Sequence, residues 1–299
     1  MYDATVGNFS IFSYHGVMRT PSYSSVYLFY RPDNKRAIAW AKKIRSWLQQ
    51  HHIKVATGIE RNQLVIVLGG DGTILEASRQ WQQHTPLILG FNLGSVGFLA
   101  SARKTNQFIP ALEQVITKRV FTTVNHMVLD VSVMRAGKTV ATLRALNELL
   151  VQNPLSIVNI TVRIEGYVVQ TIRGTGVLIA TSTGSTAYNL SAHGPIIVPN
   201  MPAMIVSEIL DHNLPTPSIV LDGKQTIELE ITDFRTHGLL SLTSTKEPVD
   251  VIASVDGGSV LPLQKHDRVF IQQSSQSVRF IELEPNYFFK SLQEKFSFT

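Results

Sequence analysis

A short glycine-rich turn, VIVLGGDGTILEAS (residues 65–78), combines residue types that suit phosphate chemistry. An apolar run enters two glycines, Asp71, a third glycine and Thr73, and the pattern then becomes helical. The glycines allow backbone amides to approach an anion, and the positive end of the following helix points to the same place. A carboxylate repels phosphate, so Asp71 fits such a site only if it handles a proton or a metal ion. A plain strand-to-helix turn is the alternative, and this motif alone leaves both interpretations open.

A second glycine-rich stretch, GTGVLIATSTGSTAYNLSAHGPIIVP (residues 174–199), contains a polar loop ahead of Tyr188. We call residues 181–188 the Ser/Thr loop; its hydroxyl residues are Thr181, Ser182, Thr183, Ser185 and Thr186. Such a loop donates and accepts many hydrogen bonds and leaves room for a planar base. A Ser/Thr-rich linker would have polar flanks, whereas apolar VLIA and PIIVP enclose this loop. The pattern therefore predicts a loop that is held rigidly at a site.

The composition excludes several classes of chemistry. A chain of 299 residues with 44% hydrophobic residues can bury a large core and form two domains. Without cysteine it has no disulfide, no thiolate nucleophile and no zinc-thiolate site. The adjacent His51 and His52 do not easily face one metal ion, so we predict no metal site made by the protein alone.

The charge and hydropathy pattern narrow the choice of partners. The net charge of +5 and the pI of about 9.4 suit an anionic ligand such as a nucleotide. The basic residues are scattered, and the densest cluster, AKKIRSW (residues 41–47), lies on the solvated face of a predicted helix. We therefore predict no nucleic-acid partner. No window has about 18 consecutive apolar residues, and the start MYDATVGNFS does not resemble a secretory signal, so we expect a cytoplasmic protein without a membrane span.

Strands and helices alternate over residues 25–120, which predicts an α/β domain. A strand, SVYLFYRP, precedes a helix with Asp33 or Asn34 as its N-cap. The all-apolar runs LVIVL and LILGF are typical of strands buried on both faces of a parallel sheet. A further helix, TNQFIPALEQVITK, is expected to be capped by Thr105. Residues 1–24 show no clear period and are expected to form a flexible arm.

Residues 121–275 have alternating, β-branched segments, which predicts a β-rich domain. Hairpin turns are expected at Glu165-Gly166 and at the Ser-Gln-Ser break of residues 275–277. The tail, residues 276–299, regains helical spacing and is expected to pack back on the first domain. The functional site should then lie in the cleft between the two domains.

Six motifs in this order resemble the ATP-dependent NAD kinase family: GGDGT (residues 69–73), LILGFNLGSVGFL (87–99), ALNE (145–148), TSTGSTAYNLSAHGP (181–195), SVDGG (254–258) and YFFKSLQEKF (287–296). GGDGT alone is shared with lipid kinases and, loosely, with phosphofructokinases, whereas the combination is specific. The resemblance implies a Rossmann-like α/β nucleotide-binding domain followed by a β-sandwich domain. It also implies transfer of the γ-phosphoryl group of ATP, or of polyphosphate, to the 2′-hydroxyl of the adenosine ribose of NAD, with Mg²⁺ or another divalent cation.

The resemblance also assigns roles to particular residues. Asp71 is implied to be the general base, and the donor's phosphates are implied to bind Gly69, Gly70, Gly72 and Thr73. For the dinucleotide, the adenine is implied to bind Asn147 and Thr186, and a ribose hydroxyl is implied to bind Glu148. The same pocket is implied to be lined by Thr183, Ser185, Ala187 and Tyr188. Further parts of the ligand are implied to bind Asn92, Arg173 and His212. Homodimers or homotetramers built through the β-rich domain are implied as well.

This chain departs from the family pattern at several positions, two of which bear on its function. Thr175 replaces an aspartate that commonly reaches the nicotinamide end from a neighbouring subunit, and Asp211 replaces the proline before His212. Two alternatives stay open. The shared glycine turn allows a lipid or sugar kinase, and the altered Thr175 and Asp211 allow a non-catalytic dinucleotide-binding regulatory protein.

Overall fold

The first part of the chain alternates strands and helices, as the sequence predicts. The computed structural model describes residues 23–80, 82–211, 216–241 and 248–296, so most of the expected N-terminal arm lies outside the described residues. The N-terminal elements are β1 (Ser25–Tyr30), α1 (Lys35–Gln50), β2 (Lys54–Val55), β3 (Leu64–Gly69), α2 (Asp71–Gln80), β4 (Leu87–Asn92) and α3 (Phe108–Leu112). The strands pair in parallel in the order β2-β1-β3-β4.

Helix α1 packs one apolar face on this sheet. Of the two expected caps, Asn34 is the one used: its Oδ1 accepts the Ala37 amide at 3.1 Å. Ala37, Ala41, Ile44 and Leu48 are buried at the three- and four-residue spacing of one helix face. Burial of a side chain such as Ile44 contributes roughly 1.5–3 kcal/mol.

Strands β3 and β4 bring the first site residues together. Both strands are buried along their whole length, as their apolar runs predict. Gly69 at the end of β3 lies opposite Asn92 at the end of β4. The carboxyl ends of parallel strands meet at one edge of a sheet, where α/β proteins commonly bind ligands. The loops that follow Gly69 and Asn92 therefore lie side by side.

The helix expected from Thr105 begins differently. Residues Thr105–Gln107 form a 3₁₀ turn, and the Gln107 side chain accepts the amides of Arg103 and Lys104 at 3.1 and 2.9 Å. Thr105 is therefore not the cap. Pro110 within α3 has no amide to donate, and the chain continues as a π-helix over Glu113–Lys118.

The second part is mostly β-structure. Its elements are β5 (Thr122–Arg135), β6 (Lys138–Ala145), β7 (Glu148–Gln152), β8 (Val158–Ile164), β9 (Tyr167–Gly174), β10 (Gly176–Thr181), α4 (Tyr188–Ser191), β11 (Ala203–Ile209), β12 (Ile219–Asp222), β13 (Ile227–Phe234), β14 (Leu240–Ser241), β15 (Pro248–Val249), β16 (Val251–Val255), β17 (Ser259–Leu263), β18 (Arg268–Glu282) and α5 (Tyr287–Phe296).

Two sheets face each other in this part. One is a six-stranded sheet with the order β12-β11-β10-β7-β16-β17, and the other contains β5, β8, β9, β13 and β18. Apolar side chains of both sheets form one buried cluster, to which β5 contributes Leu129 and β10 contributes Val177. The α/β plus β-sandwich fold class is thus confirmed.

Strand β18 joins the two parts into one sheet. It pairs with β5 in antiparallel fashion and with β4 in parallel, so the order continues as β4-β18-β13-β8-β9. The Glu165-Gly166 turn is present between β8 and β9, but the hairpin expected at residues 275–277 is wrong. The chain passes through these residues as a bulge, where the register with β5 shifts between Gln273 and Ser277. The expected domain boundary after residue 275 therefore falls inside β18.

The described chain ends with α5, the expected C-terminal helix, whose first residues contact the segment after β4. None of the helices within the described residues combines the length and the apolar character that a membrane span needs.

Candidate active site

The turn between β3 and α2 places Asp71 at the first residue of the helix. Gly69 is buried, and a Cβ built there would lie 2.4 Å from the Thr73 Cβ, so a larger residue does not fit. Gly70 and Gly72, by contrast, have nothing within 4 Å of the corresponding position. The backbone is open there at the positive end of α2, so a phosphate group can approach its amides.

The loop after β4 fixes the Asp71 carboxylate. Oδ2 accepts the Phe98 amide at 2.7 Å, and Oδ1 accepts the Leu99 amide at 3.3 Å. Gly97 allows this approach, because a Cβ there would lie 2.2 Å from Oδ1. Burial raises the pKa of Asp71, while the two amides and the charge of Lys295 oppose that rise. Each oxygen keeps acceptor capacity, so the carboxylate can take a proton from a hydroxyl that reaches it.

Asn92 shapes the start of the same loop. Its Oδ1 accepts the Gly94 amide and its Nδ2 donates to the Ser95 carbonyl oxygen, both at 2.9 Å. The side chain is buried. In this geometry the amide group of Asn92 serves its own turn, which is the simple role that an asparagine after a strand commonly has.

The segment that carries Asn147 and Glu148 is held by a second aspartate. The Asp256 carboxylate accepts three consecutive amides, from Leu146 at 3.0 Å, Asn147 at 2.7 Å and Glu148 at 3.1 Å. Asp256 lies in the turn between β16 and β17 with φ of 50°, and burial raises its pKa while the three amides and Arg79 oppose the rise. The turn therefore fixes the backbone of the Asn-Glu pair.

The Glu148 carboxyl has unused hydrogen-bonding capacity. Its side chain is only 9% exposed, and its buried Oε2 has no hydrogen-bond partner within the described part of the chain. Burial, followed by the negative charge of Asp256, raises the pKa of Glu148 to about 7, although the Tyr188 amide opposes the rise. An unpaired buried polar atom is costly, so this oxygen suits a ligand hydroxyl.

Most hydroxyls of the Ser/Thr loop hold the loop itself. Thr181 Oγ1 donates to the Leu146 carbonyl oxygen at 2.6 Å, and Ser185 Oγ accepts the Ile197 amide at 3.0 Å. A Cβ on Gly184 would lie 2.1 Å from the Asn147 carbonyl oxygen, so the loop lies directly on the Asn-Glu segment. Hydrogen bonds and close backbone packing therefore hold this loop against its neighbours.

The accessible members of the loop are Thr186, Ala187 and Tyr188, with Tyr188 41% exposed. Thr183 is buried, and its Oγ1 lies 2.9 Å from Nδ1 of His126. His126 packs on Phe280, and burial lowers its pKa to about 4, so this histidine is neutral at neutral pH.

One buried cluster connects the two halves of the site. Leu146, next to the Asn-Glu pair, packs with Ile74 and Ala77 of α2 and with Leu99 beside the Asp71 carboxylate. At the other end of α2, a Cβ on Gly258 would lie 1.8 Å from Nη1 of Arg79, so the β16–β17 turn lies against the helix that begins at Asp71.

A cavity of about 1220 Å³ lies elsewhere, and none of the predicted site residues lines it. It is bounded by the C-terminal end of α2 and by β5, β6, β13 and β18. Asp71 and Asn92 lie instead at the carboxyl ends of β3 and β4, and the Ser/Thr loop lies on Asn147.

The comparisons with known proteins agree with this geometry. Residues 56–120 match the family model of the ATP-NAD kinase N-terminal domain, and residues 146–283 match that of the C-terminal domain. An NAD kinase of Lachnoclostridium phytofermentans is 34% identical over 248 residues, covering 80% of this chain and 82% of that protein. This chain belongs to the ATP-NAD kinase family. The prediction from the six motifs is thus confirmed.

Other proteins similar to this ATP-NAD kinase family member are NAD or NADH kinases as well. An NAD kinase of Natranaerobius thermophilus is 31% identical, covering 78% of this chain and 77% of that protein. Yeast NADH kinase complexed with NADH has a TM-score of 0.77 at 22% identity, covering 94% of this chain and 89% of that one. An NAD kinase from Archaeoglobus fulgidus in complex with ATP has a TM-score of 0.67 at 22% identity, covering 91% and 97%. At this identity, the solved structures show a common fold.

Of the predicted ligand residues of this family member, Arg173 is not brought together with the rest. Arg173 is exposed on β9, and β10 leads from there to the Ser/Thr loop. Six residues of strand β10 span about 20 Å, so Arg173 lies about a strand length from that loop. His212 lies outside the described residues.

Sequence reasoning missed Asp256 and Gly97 as site-forming residues. Both lie within the family motifs SVDGG and LILGFNLGSVGFL, so the signal was present as an Asp-Gly turn and as a glycine between two hydrophobic residues. Their partners, Asn147 and Asp71, are distant in sequence, and the pairing became visible only in the fold.

No group of three or more histidine, aspartate or glutamate side chains in the described ranges could hold a metal ion. The open backbone at Gly70 and Gly72 fits a phosphate, and the unpaired Glu148 oxygen fits a hydroxyl. A divalent cation at this site would therefore depend on ligand atoms from the phosphates.

Proposed function

We propose that this chain is an NAD kinase, which transfers the γ-phosphoryl group of ATP to the 2′-hydroxyl of the adenosine ribose of NAD and so makes NADP. One observation carries the proposal: a half-buried carboxylate, Asp71, lies at the N-terminus of α2 between two glycines, Gly70 and Gly72, around which the backbone is open. Phosphoryl transfer needs positioned reactants, charge stabilisation and a group that orients and deprotonates the attacking hydroxyl.

In the proposed mechanism, Asp71 accepts the proton of the ribose 2′-hydroxyl as that oxygen attacks the γ-phosphorus. The bond from the γ-phosphorus to the bridging oxygen breaks, and ADP leaves with that oxygen. The amides of Gly70 and Gly72 and the positive end of α2 bind donor phosphate oxygens, and Gly69 gives the turn its close packing on Thr73. A divalent cation such as Mg²⁺ would be held by the donor's phosphate oxygens and would neutralise part of their charge.

The dinucleotide is proposed to lie against the second half of the site. Asn147 and Thr186 bond the adenine, Glu148 accepts a ribose hydroxyl, and Tyr188 lines the pocket beside Ala187. The unpaired Oε2 of Glu148 supports this placement, because a ligand hydroxyl supplies the hydrogen bond that the protein leaves unmade. Thr183 and Ser185 are proposed to act by shaping the loop, since both hydroxyls lie within hydrogen-bonding distance of protein groups.

The two alternatives have less support. A lipid or sugar kinase with the same glycine turn is not favoured, because curated relatives across most of the chain are named NAD kinases. A non-catalytic dinucleotide-binding protein needs no base, whereas this chain keeps Asp71 fixed by two amides at a phosphate-type turn.

The test is formation of NADP from ATP, Mg²⁺ and NAD, measured with an NADP-specific dehydrogenase. We expect turnover by the purified protein and a loss of about 10²–10⁴-fold in Asp71→Asn, the usual contribution of a general base. Asp250→Asn is the matched control, because Asp250 also accepts two backbone amides, those of His237 and Gly238. Dinucleotide binding without turnover in the parent protein would favour the regulatory alternative. Titrations with NADH and polyphosphate identify the preferred substrates.

We also propose a homodimer or homotetramer built through the β-rich part. β9 is the last strand in the order of its sheet, and Tyr167, Val168 and Val169 on it are 80%, 59% and 44% exposed. Exposed apolar groups of this kind mark contact surfaces, and Arg173 lies on the same strand. Light scattering on the purified protein measures the mass. A cytoplasmic location stays a prediction.

A further inference from the structure

The C-terminal helix α5 is fixed to the segment that follows Phe98. Nη2 of Arg103 donates to the Tyr287 carbonyl oxygen at 2.8 Å and to Ser291 Oγ at 2.9 Å. Nη1 of Arg103 lies 2.9 Å from a carboxylate oxygen of Glu294, and the Arg103 side chain is only 10% exposed. Three successive turns of α5 are therefore held by one buried guanidinium.

This attachment brings the end of α5 to Phe98, whose amide is bonded to Asp71. The Phe98 ring packs against Phe288 and Phe296, with centroids 5.7 and 6.4 Å apart. Nζ of Lys295 lies 5.0 Å from the centroid of the same ring, within the usual range of a cation–π contact. One residue, Phe98, thus contacts the catalytic carboxylate through its backbone and the last helix through its ring.

Among the described residues, α5 contributes two titratable groups that act on Asp71, Lys295 and Tyr287. Burial raises the pKa of Tyr287 to about 12, so that phenol is neutral. Arg103, from the loop after β4, is paired with Glu294. Lys295 forms no salt bridge with a carboxylate among the residues that the structure describes. Its charge is available to Asp71.

We propose that α5 is part of the catalytic site and that Lys295 is a positioning residue, which places one positive charge beside the Asp71 carboxylate from above the Phe98 ring. The charge favours the ionised carboxylate, the form that a general base needs. It thereby offsets part of the rise in pKa that burial causes at Asp71, the first residue of α2. This inference rests on the proposed role of Asp71 as general base.

Three variants of α5 test the proposal. Lys295→Met removes the charge and keeps an apolar stem on Phe98, whereas Lys295→Arg keeps the charge. Lys290→Met is the matched control, because Lys290 is an exposed lysine of the same helix that pairs with Glu284. In Lys295→Met we expect the acidic limb of kcat/KM against pH to move upward by about one unit or less. At pH values below this limb, kcat/KM of Lys295→Met is then up to about tenfold lower than that of the parent protein. In Lys295→Arg and Lys290→Met, the acidic limb is expected at the same pH as in the parent protein.

A second measurement does not depend on turnover. Carbon-13 NMR of labelled aspartate, assigned with Asp71→Asn, follows the Asp71 carboxyl directly, and its pKa is expected to rise in Lys295→Met alone. Any of three outcomes would overturn the inference. The pKa of Asp71 could be unchanged in Lys295→Met, or it could rise equally in Lys290→Met. The KM for ATP could also rise in Lys295→Met while the acidic limb of the pH profile stays in place. Absence of NADP formation in the parent protein would instead refute the proposed function, so the two failures are distinguishable.

Discussion

Two Asp-Gly turns of this chain, at Asp71 and at Asp256, use the same residue type in different ways. Asp256 accepts three consecutive amides from one segment and is 7% exposed. Asp71 accepts two amides from the loop after β4, one of them at 3.3 Å, and is half-buried. Both carboxyls have pKa values raised by burial. They differ in the acceptor capacity that the protein leaves unused.

Under the proposed function, this difference separates a carboxylate that builds the site, Asp256, from one that takes part in the reaction, Asp71. The Asp256 carboxylate accepts hydrogen bonds from the backbone at Asn147 and Glu148, so it fixes the segment that carries these two residues. Asp71 accepts one amide fewer, and the positive charge of Lys295 acts on it. If this comparison is right, changes around Asp71 affect turnover first, whereas changes around Asp256 affect folding first.

The largest effect is expected from Gly97→Ala. The new Cβ would lie 2.2 Å from Oδ1 of Asp71, so the carboxylate or the loop must move. A displacement of about 1 Å at a catalytic group commonly costs about 100-fold in rate. We expect kcat for NADP formation to fall about 100-fold or more, with the thermal midpoint little changed. Gly58→Ala is the control, because nothing lies within 4 Å of that position. A parent-like kcat in Gly97→Ala would show that Asp71 does not need this position.

The next effect is the loss of stability in Asp256→Asn. Oδ2 receives the Leu146 amide and Oδ1 receives those of Asn147 and Glu148, so an amide side chain turns one NH₂ group toward an N–H donor. Leaving a buried donor unmatched costs about 1–3 kcal/mol. We expect the free energy of unfolding in urea to fall by about 2–3 kcal/mol in Asp256→Asn and by about 1 kcal/mol or less in Asp71→Asn. Equal losses in the two variants would remove the distinction between the turns.

The sequence predicts the parts of the fold that are written in local pattern. Strands β3 and β4 are buried on both faces and therefore appear as continuous apolar runs, and the period of α1 follows from its single buried face. The glycines before and after Asp71 are also a local pattern, and they predict the turn. The Ser/Thr loop was recognisable because apolar strands enclose it.

The remaining features depend on partners that are distant in the chain. The Asp256 contact with the Asn147 amide spans 109 positions, and that of Arg103 with the Tyr287 carbonyl spans 184. No local pattern encodes such pairs. Strand β18 was misjudged because Ser275-Gln276-Ser277 has turn composition, whereas the neighbouring β5 accommodates these residues as a bulge.

The smallest effect concerns Glu148, which lies next to the Asp256 turn. Its pKa in the folded protein is about 7, above the usual value of 4.5, so the folded state binds a proton that the unfolded state has already released. The folded state therefore loses stability as pH rises from about 4.5 to about 7. Glu148→Gln removes this dependence. Between pH 5 and pH 8 we expect the variant to gain roughly 2 kcal/mol of unfolding free energy relative to the parent.

Urea unfolding of both proteins at the two pH values measures this gain, and the exposed Glu113 provides the control variant Glu113→Gln. The negative charge of Asp256 is the second cause of the raised pKa, after burial. The pH-dependent gain should therefore shrink when Glu148→Gln is made in an Asp256→Asn background, because one of the two causes is already absent. A gain of the same size in both backgrounds would mean that burial alone sets the Glu148 pKa, and that the Asp256 turn acts on this half of the site only through its backbone hydrogen bonds.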